Sequence, residues 1–241
     1  MALPVGRSER LHQILDQAEL LFSTRGYRRT RLSDVAANVG VTESALYRYF
    51  RGKDALFDQV LRRAAFGREF FKDPIDLPVP APDSGATARF LKAAFRHALA
   101  ESELEARLAG PAPEPGEAAR RELVEVMANL FDVGTRYRVG ARIMNASILE
   151  TPELKGIWDQ EFRGELSGQF AVYLKCRHAS GLLRVAGDPG EWAALLSNVV
   201  AVHAIHSDAF ARVGDGSYEA RRSAVVGCAV AMLEIERSRP P

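Results

Sequence analysis

Apolar residues recur along this chain in steps of three and four, and no stretch alternates in the two-residue period of a strand. Leu11, Ile14, Leu15, Ala18, Leu21 and Phe22 form one face of an amphipathic helix over 8–25. Ser8 is its expected cap with Glu9 in the first turn, Gly26 its stop, and Tyr27 folds back over its end. Thr30 is the expected cap of a two-turn helix whose inner face is Leu32, Val35, Ala36 and Val39, ending at Gly40. Val41 follows as an apolar turn residue. Thr42 caps a second short helix over 43–50, in which Leu46 faces back and Phe50 closes the cluster. A third stretch, from 53 to about 71, repeats Leu56, Phe57, Val60, Leu61, Ala64 and Ala65.

Residues 72–85, KDPIDLPVPAPDSG, hold four prolines and exclude a helix, so the expectation is a domain boundary or an edge loop. Helices are then predicted over 86–106 (Phe90, Leu91, Ala94, Phe95, Ala98 and Leu99 inward) and, after the proline-rich 110–116, over 117–150 with breaks near Val133, Gly134 and Gly140. Thr151 and Pro152 open a helix running to about 180, with Leu154, Trp158, Phe162, Leu166, Phe170 and Leu174 on one face and Gly181 as stop. Residues 189–212 and 217–237 supply the last two. The chain therefore reads as all-α, with about nine helices.

The spacing over 30–53 is unusually specific. A small residue (Ala36) lets two helices cross closely, and Gly40 four positions later suits a turn with positive φ. Apolar Val41 and Leu46 follow. This is the steric pattern of a helix-turn-helix, whose second helix lies in the major groove of DNA. Base edges would then face Thr42, Glu43, Ser44 and Ala45, with Arg48 one turn on. Glu43 can accept from a cytosine amino group, Arg48 can donate to guanine, and the Ala45 methyl can touch that of thymine. Backbone phosphates would meet Thr30 or Arg31, Tyr47, Tyr49 and Lys53.

Charge supports that reading by its distribution. The 241-residue chain has a net charge of only +1, yet residues 1–53 hold nine Lys/Arg against five Asp/Glu. A basic end on a faintly acidic body suits contact with phosphates. The two cysteines, Cys176 and Cys228, share no metal-ligand spacing and are expected to be buried free thiols. No metal or cofactor is called for, and no phosphate loop, HExxH or nucleophile-base signature argues for an enzyme. With no apolar leader region and no apolar run of spanning length, the expected location is the cytoplasm, away from membranes.

GVTESALYRYFRGKDAL, preceded by TRLSDVAANV and a first helix ending in STRGY, resembles the N-terminal domain of TetR-type (tetracycline-repressor-like) bacterial transcriptional regulators. The matching positions are Thr30, Val35, Ala36, Gly40, Val41, Thr42, Leu46, Tyr47, Arg48, Tyr49, Phe50, Lys53 and Asp54. Ser44 and Ala45 depart from the Gly-Thr often found there. The resemblance covers about residues 8–62. It implies a helix-turn-helix DNA-binding domain (1–53), a connector helix (54–72) and a larger helical effector-binding and dimerisation domain (73–241). It further implies a homodimer on a palindromic operator, with the last two helices pairing into a four-helix bundle. Ala224, Val225, Gly227, Cys228, Ala229, Ala231 and Met232 suit such a shared helix.

The family resemblance also implies a dimeric repressor released by a small-molecule effector held in the body. Phe95, Phe131, Tyr137, Trp158, Phe162, Phe170 and Tyr173 can line a pocket, or be plain core. His203 and His206 lie on an apolar stripe with Trp192, Leu195, Leu196, Val199 and Phe210, and three readings remain open: core or dimer-interface residues, effector anchors, or metal ligands. Arg136, Arg138 and Arg142 suit an anionic effector or a solvated basic face. The alternatives to a ligand-responsive repressor are an effector-independent DNA-binding or interaction protein and an all-α enzyme.

Overall fold

The computed structural model describes residues 6–67, 76–157, 159, 164–206 and 217–233. Twelve α-helices are found among them: α1 (Arg7–Arg29), α2 (Leu32–Asn38), α3 (Glu43–Leu46), α4 (Lys53–Phe66), α5 (Ala86–Glu101), α6 (Leu104–Ala109), α7 (Glu117–Arg136), α8 (Arg138–Ser147), α9 (Pro152–Ile157), α10 (Ser167–Ala179), α11 (Pro189–Ile205) and α12 (Tyr218–Met232). The described residues hold no strand, only an isolated bridge between Phe50 and Val79. The chain divides into two compact units: Met1–Ala94 with Val139–Trp158, and Phe95–Arg138 with Asp159–Pro241. The boundary expected at the proline-rich stretch thus falls inside the first unit.

In the first unit the predicted face of α1 is buried as expected, and α4 returns Leu56, Phe57, Val60 and Leu61 against it. A charged clamp joins the same pair. Arg63, only 4 % exposed, reaches from α4 to Asp16 (2.5 Å) and Glu19 (3.0 Å) of α1. Such a buried cation is tolerable only because two carboxylates answer it. Gly26 breaks α1 with φ +79, after which the Tyr27 ring packs on Phe57 with centroids 4.8 Å apart. From α8, Ile143, Met144 and Ser147 are buried in this unit, and Ser147 Oγ accepts from the Tyr27 N–H at 3.0 Å.

The second unit is built on α7, against which α11 and α12 pack, with α10 lying on α11 and α6. Its core runs through Phe95, Leu123, Met127, Phe131, Phe170, Tyr173, Leu196 and Val230. One buried polar knot sits in it. Arg177, 4 % exposed, donates to both oxygens of Glu122 (2.6 and 3.0 Å) and to the carbonyls of Gly110 and Pro111. Tyr173 donates its hydroxyl to the same carboxylate.

Several expectations fail for local reasons. Gly6, not Ser8, precedes α1, and no side chain caps it. The helix predicted over 86–106 breaks where Glu103 takes φ 56. The helix over 117–150 runs unbroken past Gly134 and ends instead at Tyr137. Over 151–180 the α-helical parts are α9 and α10, with the described residues between them, 159 and 164–166, in π-helical geometry, and α11 stops at Ile205, with His206 as its C-cap. Trp158, Phe162 and Phe210 lie outside the described residues. Both cysteines are free, but exposed rather than buried. The inward faces of their helices are taken by Phe170, Tyr173, Leu174 and Arg177 and by Val225, Val226, Ala229 and Val230.

Candidate nucleic-acid interface

The helix-turn-helix is assembled as its spacing requires. Val35, Ala36, Leu46 and Phe50 are all buried, and Gly40 turns the chain at φ +69. Thr42 caps α3 by accepting from the Ala45 N–H at 3.3 Å, and its hydroxyl also lies 2.9 Å from Ser44 Oγ. Arg10 of α1 braces the turn by donating to the Val39 carbonyl at 2.8 Å.

Regular α geometry in the second helix lasts only over Glu43–Leu46, not to Phe50. Beyond it come two three-residue steps, Arg48 N–H to Ala45 and Tyr49 N–H to Leu46, before Phe50 N–H also reaches Leu46 at 3.0 Å. Residues 77–79 run alongside: Val79 donates to the Tyr49 carbonyl and accepts from the Arg51 N–H, both at 2.8 Å. Val79 is buried in the same cluster as Phe50. This strap was not foreseen, because prolines before and after Val79 signal a loop and give no hint of where it docks.

With the inner face sealed, the outer face of the second helix is set. Glu43, Ser44, Tyr47 and Arg48 are exposed and Ala45 is half-buried. They present a carboxylate, a hydroxyl, a phenol, a guanidinium and a methyl on one element. Arg28, Arg31 and Arg51 add exposed cations in the same unit, while Arg29 is paired with Glu150 at 2.8 Å.

Three of the candidate phosphate contacts sit differently from expectation. Thr30 is 1 % exposed and donates its hydroxyl to the Gly26 carbonyl at 2.8 Å, so it neither caps α2, whose N-cap is Arg31, nor offers its hydroxyl outward. Tyr49 is half-buried, its ring packed on the cluster. Lys53 folds back: its Nζ lies 4.3 Å from the Tyr27 ring centroid and donates to the Arg28 carbonyl at 3.3 Å. Burial lowers its pKa, against the pull of Asp54 and Glu150.

Candidate effector residues divide in the second unit. Phe95, Phe131, Phe170 and Tyr173 are fully packed core, with Phe170 and Tyr173 stacked at 6.0 Å. Tyr173 also lines a cavity of about 10 Å³, at the lower edge of the ~10–15 Å³ that holds a single water molecule. Tyr137 is half-buried at the end of α7 under the Arg136 guanidinium, which itself pairs with Glu101 at 3.2 Å. The histidine stripe faces the other way from the core. α11 turns Ala193, Leu196, Val200 and Ala204 inward, leaving Leu195 48 % and Val202 42 % exposed, with Val199, His203 and His206 half-buried beside them. No group of His, Cys, Asp and Glu able to hold a metal exists among the described residues.

Comparison with known proteins places this geometry. Residues 14–60 match the family model described as bacterial regulatory proteins, tetR family. The chain is 34% identical over 86 residues to the HTH-type transcriptional repressor KstR2 of Rhodococcus jostii, covering 36% of this chain and 41% of that protein. It is 42% identical over 64 residues to the nucleoid occlusion factor SlmA of Pasteurella multocida, covering 25% of this chain and 32% of that one. The matches thus span less than half the length of these curated relatives. Over nearly its whole length the fold is similar to AibR, solved in complex with isovaleryl coenzyme A and operator DNA, with TM-score 0.52, 16% identity, and coverage of 93% of this chain and 97% of that chain. The N-terminal helix-turn-helix of this chain, residues 14–60, is thus similar to that of the tetR family of bacterial regulatory proteins.

Proposed function

We propose that this protein is a sequence-specific DNA-binding transcriptional regulator, acting in the cytoplasm as a homodimeric repressor that a small-molecule effector releases from a palindromic operator. The observation that carries the reading is the division of the helix-turn-helix into a sealed inner face and an outer face of Glu43, Ser44, Ala45, Tyr47 and Arg48. Glu43, Ser44 and Arg48 are the proposed base-reading residues, with Ala45 against a thymine methyl. Thr42 takes part chiefly as the cap that sets the helix entry. Phosphates fall to Arg31, Tyr47 and the exposed Arg28 and Arg51. Lys53 joins them only on leaving the Tyr27 ring. Regulators of this family are generally not enzymes, and no helix among the described residues is long and apolar enough to cross a membrane.

Binding should weaken steeply with salt, the logarithmic slope steepening by about 0.9 for each phosphate neutralised. Arg48→Ala should cost about 1–3 kcal/mol and relax preference at one position per half-site. Fluorescence anisotropy across a salt series and a panel of single-base operator variants measures both. Salt-insensitive binding, or unaltered preference in Arg48→Ala, contradicts the assignment.

Dimerisation is proposed through α11 and α12. Their outward faces carry Leu195, Val199 and Val202, and Ala224, Gly227, Cys228, Ala231 and Met232, with little polar perimeter. A helix face that is apolar yet exposed is suited to a partner, and small side chains allow close helix approach. On this reading His203 and His206 belong at or beside the interface. Val202→Glu is expected to shift the protein from dimer to monomer by at least about tenfold in Kd in sedimentation, with the monomer's helicity retained. An unchanged mass would remove α11 from the interface.

The effector-independent reading stands beside a similarity to a nucleoid occlusion factor that covers 25% of this chain. Release of bound operator by a small molecule decides between the two.

A further inference from the structure

The first unit contains a cavity of about 260 Å³ that the DNA-reading function does not use. Its walls come from the end of α1, the start of α4, the chain entering α5, and the start of α9. We propose that this cavity is a binding site for a small organic ammonium ion bearing an apolar tail. The site lies in the DNA-reading unit itself, apart from the helical body where the effector is proposed, and the proposal stands independently of that reading.

The lining is acidic, aromatic and short of donors. Asp54 and Asp83 both line it, and no lysine, arginine or histidine does. Asp54 accepts the Tyr27 hydroxyl, which leaves a carboxylate with further lone pairs. Asp83 is exposed and makes no ion pair among the described residues. The third carboxylate nearby, Asp58, is already answered by Arg62 at 2.7 Å and by the Thr87 hydroxyl at 2.8 Å. Two cations border the site with their donors turned to backbone carbonyls: Lys53, over the Tyr27 ring, donates to Arg28, and Arg89 donates to Ser84.

Tyr27 and Phe57 supply ring surface, and Thr151 supplies an unsatisfied group. Its Oγ1 is buried without a hydrogen-bond partner, although its position before α9 is one where a threonine normally caps. An anion is disfavoured by the two carboxylates, and a hydrocarbon would leave the buried Thr151 hydroxyl unanswered. A protonated amine brings positive charge and N–H donors together, with its tail against the rings. The volume lies just below the usual range for small-molecule pockets, about 300–1,000 Å³, and suits a compound of one ring.

Isothermal titration of the full chain with benzylamine, benzyl alcohol and benzoate at neutral pH tests the assignment. Benzylamine should bind saturably at one site per chain, benzyl alcohol about tenfold more weakly, and benzoate not at all. Asp83→Asn should weaken benzylamine about tenfold, and Ala88→Phe, which fills the cavity, should abolish binding while circular dichroism is retained. The proposal is overturned by any of three results: no saturable heat up to about 10 mM benzylamine, equal affinity for the amine and the alcohol, or unchanged affinity in a folded Ala88→Phe.

Discussion

Replacing Arg177 with methionine should destabilise the second unit by about 3–5 kcal/mol, the largest single-residue loss expected outside the apolar core. The guanidinium is buried and serves four acceptors: two oxygens of Glu122 and the carbonyls of Gly110 and Pro111. Methionine fills much of the volume but leaves the Glu122 carboxylate without its cation, and leaves the 110–111 carbonyls unpaired. The double variant Arg177→Met with Glu122→Leu removes the charge as well as its partner, and should recover much of the loss. Chemical denaturation of the three proteins measures it. A loss below about 1 kcal/mol in the single variant would mean that water replaces the guanidinium, and that the knot is peripheral.

Gly26→Ala should disrupt the DNA-reading unit, at a cost of about 2–4 kcal/mol. Two effects coincide there. The backbone sits at φ +79, where a side chain is strained, and an added Cβ would overlap the Ala146 carbonyl oxygen and lie 3.0 Å from its carbon. The contact is backbone against backbone, so no rotamer relieves it. Gly40→Ala is the control: φ is +69, but an added Cβ meets nothing within 4 Å. Only the conformational penalty of about 1–2 kcal/mol applies to it. Hydrogen exchange or a denaturation midpoint should therefore rank Gly26→Ala well below Gly40→Ala. Equal losses would show that α8 does not press on this turn.

These two glycines mark how far the sequence could be read. A turn glycine at position 40 follows from its place between two short periodic segments, and Gly26 from its place after a long one. That Gly26 also admits the carbonyl of Ala146, 120 residues on, has no local signature. The same holds for Val79, whose docking against Tyr49 and Arg51 is a tertiary contact written in no periodicity. The Thr30 hydroxyl, standing before a helix, has two options, capping forward or donating backward to Gly26, and composition does not choose between them.

On α11 the difficulty was of another kind. An apolar stripe against the core and an apolar stripe against a partner look alike in one dimension. Leu195 and Val199 share a sequence stripe with Leu196, and only packing on α7 and α10 shows which side is already covered. Cys228 misled in the same way: flanked by apolar residues, it lies on the outward side of α12. The reading helix was legible because its demands are local. Ala36, Gly40, Leu46 and Phe50 each meet a constraint set within a few residues, and the exposed Glu43 and Arg48 follow from where those four point.

The most direct test of the central claim is selection of binding sites by the purified protein from a pool of random duplex DNA. Enrichment of a palindrome whose half-site centres lie about one helical turn apart, ~34 Å or a small multiple of it, is the predicted result. Arg48→Ala should then enrich the same palindrome with one position per half-site relaxed. Failure to enrich any sequence over the starting pool, with the helix-turn-helix intact by hydrogen exchange, would contradict the account.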